Sequence, residues 1–157
     1  PVLRGAVGPT GRVVGVDVSP RMLDRAAGLV ERRGWANVSL ALADAERPPV
    51  AAADGVLATF VTSLFPDPYA VVSRWCELSD TVVVAAFVPE GNRAANVALR
   101  AFVALNGRLF DAGGDDPLGR LAERTDAARR ALDDRAAVRE RQQHLFGTIA
   151  VEAGRDG

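Results

Sequence analysis

Gly11-Arg12-Val13-Val14-Gly15-Val16-Asp17-Val18-Ser19-Pro20-Arg21-Met22-Leu23 is the stretch on which the reading of the fold turns. Residues 12–18 form a short apolar run that contains one acid, Asp17, near its end and follows the turn-rich Gly8-Pro9-Thr10-Gly11. Such a run reads as a strand buried on both faces of a sheet. Ser19 then offers a capping hydroxyl and Pro20 a first helical residue. Met22, Leu23, Ala26, Ala27 and Val30 recur at helical spacing as far as Gly34, which predicts a helix over 20–33.

The same alternation continues outward. Residues 38–43 read as a second strand, closed by Asp44 and followed by the irregular Pro48-Pro49. Residues 55–60 read as a third strand, 68–78 as an amphipathic helix and 81–88 as a fourth strand rich in valine and alanine. Strands that alternate with helices predict an α/β fold, a Rossmann-like and mostly parallel sheet flanked by helices. Beyond Pro89 the pattern predicts a helix over 91–107, a Gly/Asp-rich loop at 111–116, a long Arg/Ala/Glu-rich helix over 117–141 and a last strand over 145–153. No linker interrupts the pattern, so residues 1–157 are expected to form a single domain.

Composition narrows the chemistry. The 157 residues carry 19 basic and 20 acidic side chains, a formal charge of −1, and every basic residue is arginine. Together with abundant alanine this fits GC-rich coding, and the near-neutral total argues against a nucleic-acid partner, which needs a concentrated excess of positive charge. No apolar run is long enough to cross a bilayer. The start lacks the apolar core of a secretory signal, so a cytoplasmic location without membrane attachment is expected. Cys76 and His144 are the only residues of their kinds. An internal disulfide, a multi-cysteine zinc site and most triad schemes are thereby excluded, and no metal site is expected.

In an open parallel sheet, ligands bind beyond the carboxyl ends of the strands. Two acids stand at such ends. Asp17, just before a helix N-terminus, is placed to accept both hydroxyl hydrogens of a ribose, and Asp44, at the end of the next strand, is placed to accept from the exocyclic amine of an adenine. Together they describe a nucleoside site.

These residues resemble the class I S-adenosylmethionine-dependent methyltransferases over about residues 8–88. The match rests on Gly11 to Leu23, on Val38 to Ala45 and on Asp54-Gly55-Val56-Leu57-Ala58-Thr59-Phe60. The resemblance implies S-adenosyl-L-methionine as cofactor. In its terms Asp17 holds the ribose, Val18 packs on the adenine with Met22 as a further neighbour, Asp44 meets the adenine amino group, and the backbone N–H of Ala45 meets a ring nitrogen. Phe60, in Thr59-Phe60-Val61-Thr62, lies beside the transferable methyl. Residues 89–143 become a helical segment on the side of a small-molecule methyl acceptor; no catalytic residue and no oligomeric state follow.

The chain departs from the family in one respect. An acid followed by G-x-G-x-G at the end of a strand is absent, since Gly5, Gly8 and Gly11 precede a strand rather than follow one. Pro1 to Val7 resembles the end of the helix that follows this motif, which implies an N-terminally incomplete copy. Residues 1–157 alone are then expected to bind the cofactor weakly or not at all. Two other readings stand beside methyl transfer: part of a nicotinamide-dependent oxidoreductase, which also binds ribose with an acid at a strand end, and a non-catalytic methyltransferase-like remnant.

The remaining conspicuous residues have ordinary structural readings. Trp75 with Val71 or Val72 and Leu78 forms a core stripe, Cys76 is a small buried residue, and Phe60 and Phe65 line core or pocket. His144 reads as a surface or satisfied histidine. Asp111, Asp115 and Asp116 read as turn chemistry, and the arginines of 120–141 as a solvated helix face with ion pairs at three- and four-residue spacing.

Overall fold

Strand β1 (Val13–Asp17) is followed by helix α2 (Pro20–Arg33), and both ends of the helix are closed as its sequence predicts. The Ser19 side chain accepts from the Met22 N–H and Pro20 opens the first turn. At the other end Gly34 takes the left-handed conformation, φ 60°, while its N–H and that of Trp35 satisfy the carbonyls of Glu31 and Val30. A short helix α1 (Val2–Val7) precedes β1, and β2 (Val38–Leu42) pairs with β1 in parallel, Val13 opposite Val38 and Asp17 opposite Leu42. The Asn37 amide fastens the turn before β1, donating to the carbonyls of Gly8 at 3.1 Å and Gly11 at 2.6 Å.

The structure, a computed structural model, describes residues 2–88, 116–145 and 148–156 together with Val97 and Ala101. It divides into two compact units, residues 1–50 and 51–157. The helix expected over 91–107 and most of the loop at 111–116 lie outside the described residues.

The second unit holds β3 (Val56–Thr59), a 3-10 turn (Thr62–Leu64), α3 (Pro68–Leu78), β4 (Thr81–Phe87), α4 (Pro117–Arg135), β5 (Val138–His144) and β6 (Ile149–Arg155). Its sheet runs β3-β4-β6-β5, with β3 and β4 parallel and the other two pairs antiparallel. The core of this unit is made by α3, α4 and β4: Val71, Val72 and Trp75, Leu118, Leu121, Ala128, Ala131 and Leu132, and Val82, Val84 and Ala86 are all buried. Phe65 meets Trp75 edge to face at 5.7 Å. Helix α4 lies antiparallel to β4. The Thr125 hydroxyl donates to the Phe87 carbonyl at the end of the strand, whereas Leu132 and Ala136 lie over Gly154, the partner of Val82 near its start. A Cβ at Gly154 would come within 2.8 Å of that of Ala136, so the glycine permits the close approach of helix and sheet.

Four expectations are corrected. The helix predicted over 117–141 ends at Arg135, and residues 138–144 form strand β5 instead. Every residue of β5 is exposed, so Val138-Arg139-Glu140-Arg141-Gln142-Gln143-His144 lacks the apolar alternation by which a strand is read, and its charges mimic helical ion-pair spacing. Only antiparallel pairing with β6 makes it a strand, and β6 itself begins at Ile149 rather than 145. The sheet is accordingly more mixed than the alternation implied. Strand β1 is also not buried on both faces: no residue described between 2 and 57 is buried, because the sheet of the first unit has two strands only.

Two-stranded sheets are marginal in water without a covered apolar face. Hydrogen exchange is therefore expected to show faster opening for the amides of β1 and β2 than for those of β4 and β6. Leu132→Ala, at a side chain 2% exposed, is expected to cost about 2–5 kcal/mol in denaturant melts, and Leu42→Ala, at 63% exposure, less than about 0.5 kcal/mol.

Candidate functional site

The parallel register brings the two acids to one end of the first unit. Asp17 closes β1 opposite Leu42, its carbonyl accepts from Ala43, and Asp44 follows directly. The Asp17 Oδ1 accepts from the Ser19 N–H at 2.7 Å, which turns the carboxylate toward the N-terminus of α2, where the helix dipole favours negative charge. Asp44 makes the same kind of turn, its Oδ1 accepting from the Glu46 N–H at 2.8 Å. Neither Oδ2 has a hydrogen bond among the described residues.

Around these carboxylates the surface is unexpectedly apolar. Val18 is 68% exposed, Met22 53%, and Leu42 is exposed as well. Large apolar side chains left in water beside charged acceptors suit a flat, partly apolar ligand with hydrogen-bond donors on its rim. Asp17, Val18, Met22, Asp44 and Ala45 thus share one sheet end, and Leu42 is an addition that sequence reading missed. Its signal was its register opposite Asp17, which is a property of pairing.

Phe60 belongs to the second unit. It leaves β3 in the left-handed conformation, φ 57°, held by its N–H to the Ala85 carbonyl at 2.7 Å, and its ring stacks on Phe87 at 4.5 Å. A bulky residue at positive φ is strained, and such strain collects at binding sites. The turn that follows buries Thr62 and Ser63. Arg124 of α4 donates from Nη1 to the Ser63 carbonyl at 2.8 Å, so this arginine does not belong to the solvated face assigned to it.

Several other side chains settle into structure. Asp116 caps α4 by accepting from Gly119 at 3.0 Å. Arg129 pairs with Asp126 at the expected three-residue spacing, whereas Arg135 pairs with Glu77 of α3 and Arg139 of β5 with Asp133, partners that the spacing along one helix did not supply. Tyr69 donates to Asp134 at 2.8 Å, and that carboxylate raises the pKa of the phenol. Burial raises the pKa of the half-buried Cys76 thiol, which makes it a poor nucleophile. His144 ends β5 on the exposed surface. No helix among the described residues is long and apolar enough to cross a membrane.

Residues 2–79 match the model of the methyltransferase domain family. The chain belongs to the class I S-adenosylmethionine-dependent methyltransferases. It is 39% identical over 74 residues to nocamycin O-methyltransferase of Saccharothrix syringae, a match that covers 46% of this chain and 26% of that protein. Over 76 residues it is 33% identical to aklanonic acid methyltransferase DauC of Streptomyces sp. strain C5, covering 47% of this chain and 34% of DauC. The chain therefore spans about a quarter to a third of the length of these relatives. Its fold is that of a SAM-dependent methyltransferase from Aquifex aeolicus, with TM-score 0.67 and 15% identity over 98% of this chain and 73% of that one.

The strain at Phe60 makes a prediction. Phe60→Ala loses the ring contact and keeps the unfavourable φ, whereas Phe60→Gly loses the same contact and relieves the backbone. Thermal or urea melts are expected to find the glycine variant more stable than the alanine variant by about 1 kcal/mol.

Proposed function

We propose that this chain is part of an S-adenosyl-L-methionine-dependent methyltransferase for a small-molecule acceptor, and that the carboxyl end of β1 and β2 holds the nucleoside of the cofactor. The observation that carries the reading is the convergence of Asp17 and Asp44 on one sheet end, each with one carboxylate oxygen fixed by a backbone N–H, beside exposed Val18, Met22 and Leu42. Membership of the methyltransferase family favours this reading over a nicotinamide-dependent one. The names of nocamycin O-methyltransferase and aklanonic acid methyltransferase support a small acceptor.

The residues present fit the nucleoside half of the cofactor. Asp17, anchored through Oδ1, offers Oδ2 and the remaining lone pairs to the two ribose hydroxyls, and Asp44 does the same for an exocyclic amine. Val18 and Met22 supply apolar faces for the ring, and Ala45 continues the same loop. When bound, S-adenosyl-L-methionine supplies a methyl group on a sulfonium, which the acceptor takes by in-line displacement. This chemistry asks the protein for alignment and exclusion of water more than for a nucleophile of its own, which suits a sequence with one histidine and one cysteine. Phe60 and Phe87 provide an apolar wall at the carboxyl ends of β3 and β4. A cytoplasmic location is part of this proposal.

An amide-resolved NMR titration with S-adenosylhomocysteine tests the reading and is sensitive even to weak binding. Shifts are expected for residues 17–22 and 42–46. Asp17→Ala is expected to weaken binding tenfold or more, since a charge-assisted hydrogen bond is worth about 1.5–3 kcal/mol and each 1.4 kcal/mol is tenfold. Shifts that fall on other amides and spare residues 17–22 and 42–46 would sink the proposal.

A further inference from the structure

Phe60 does not hold its conformation by itself. A bulky aromatic residue at φ 57° occupies a sparsely populated backbone region, and such a conformation persists only where its surroundings impose it. Strand β4 supplies two of the holds, the Ala85 carbonyl to the Phe60 N–H and the Phe87 ring at 4.5 Å. The turn that follows closes on itself, the Leu64 N–H donating to the Val61 carbonyl at 2.9 Å and the Phe65 N–H to the Thr62 carbonyl at 3.4 Å. The Ser63 carbonyl, on a residue 6% exposed, is taken by helix α4: Arg124 donates to it from Nη1 at 2.8 Å.

The next residue of the helix holds the other half of the aromatic pair. Thr125 donates from its hydroxyl to the Phe87 carbonyl at 3.2 Å. Consecutive side chains of α4 thus fix the backbone just after Phe60 and at Phe87 itself, and the buried Leu121, Ala128 and Leu132 seat the helix that carries them. Phe60 nevertheless remains 38% exposed, at the carboxyl end of a parallel strand, where ligands of such sheets bind. An aromatic face held still at that end suits a cation, which the ring quadrupole attracts.

We infer that Arg124 is a positioning residue for methyl transfer: by holding the Ser63 carbonyl it keeps Phe60 left-handed and stacked on Phe87, so that the exposed face of the ring is presented to the sulfonium of S-adenosyl-L-methionine. The sulfonium rests on the methyltransferase reading; the clamp on Phe60 does not.

The test uses the full chain with labelled phenylalanine, in which contact between the Phe60 and Phe87 rings is read as a nuclear Overhauser effect. S-adenosyl-L-methionine and its neutral product S-adenosylhomocysteine are titrated into the same samples. Arg124→Met, which has no donor, and Arg124→Gln, whose amide falls short of the turn, are each expected to lose the ring contact and to lower the affinity for S-adenosyl-L-methionine at least threefold relative to S-adenosylhomocysteine. Either variant serves if the other does not fold. Arg124→Lys keeps one donor within reach of the carbonyl and is expected to restore both readouts, and Arg129→Met, which breaks the pair with Asp126 on the same helix, to change neither. A ring contact retained without Arg124, an unchanged affinity ratio, no recovery with lysine, or an equal effect of Arg129→Met would overturn the inference. Failure of both ligands to bind the unaltered chain would count against the methyltransferase reading, and the ring contact would still decide the clamp.

Discussion

Leu132, buried to 2% exposure, is where helix α4 meets strands β4 and β6, and the rest of the second unit is arranged around that contact. The close approach depends on Gly154, which leaves room for Leu132 and Ala136 over the sheet. Once the helix is seated there, its direction fixes everything upstream: Thr125 reaches Phe87, Arg124 reaches Ser63, and the first turns of the helix extend beyond the ends of the parallel strands. Packing of α3 on α4, with Val72 and Trp75 buried, holds the helix in that position. The location of Arg124 is thus a consequence of an apolar contact further along the helix.

The first unit is built on a different balance. It has the local signals of an α/β structure, a capped helix, a left-handed glycine terminus and two strands in parallel register, yet none of its described residues is buried. Hydrogen bonds carry it: the ladder between β1 and β2, the Asn37 amide on the turn before β1, and the caps of α2. Such bonds exchange with water and contribute modestly one by one, so this half depends on backbone geometry rather than on a core. The same geometry leaves Val18, Met22 and Leu42 in solvent next to two carboxylates, which is a surface suited to a nucleoside.

Much of this was legible in the chain. Helix α2 spans the predicted residues because Ser19, Pro20 and Gly34 act within one turn of its ends, and α3 follows from the spacing of Val71, Val72 and Trp75. Asp17 and Asp44 were readable as strand-end acids for the same reason. Strand β5 was not, since its seven residues are all exposed and take their conformation from β6. Nor was Phe60, whose positive φ and stacking on Phe87 depend on the pairing of β3 with β4.

By itself, then, the sequence determined those features whose causes lie within a few residues: the strand, helix and strand that carry Asp17 and Asp44, the caps, and the family to which they point. Only the tertiary structure decided which arginine of α4 faces water and which is desolvated. Arg120, Arg124 and Arg129 have the same charge and similar neighbours in sequence. Arg129 meets Asp126, Arg124 meets a carbonyl sixty-one residues away, and Nε and Nη2 of Arg120 are buried without a partner. Burial is set by what packs against a residue from afar, and no local pattern contains it.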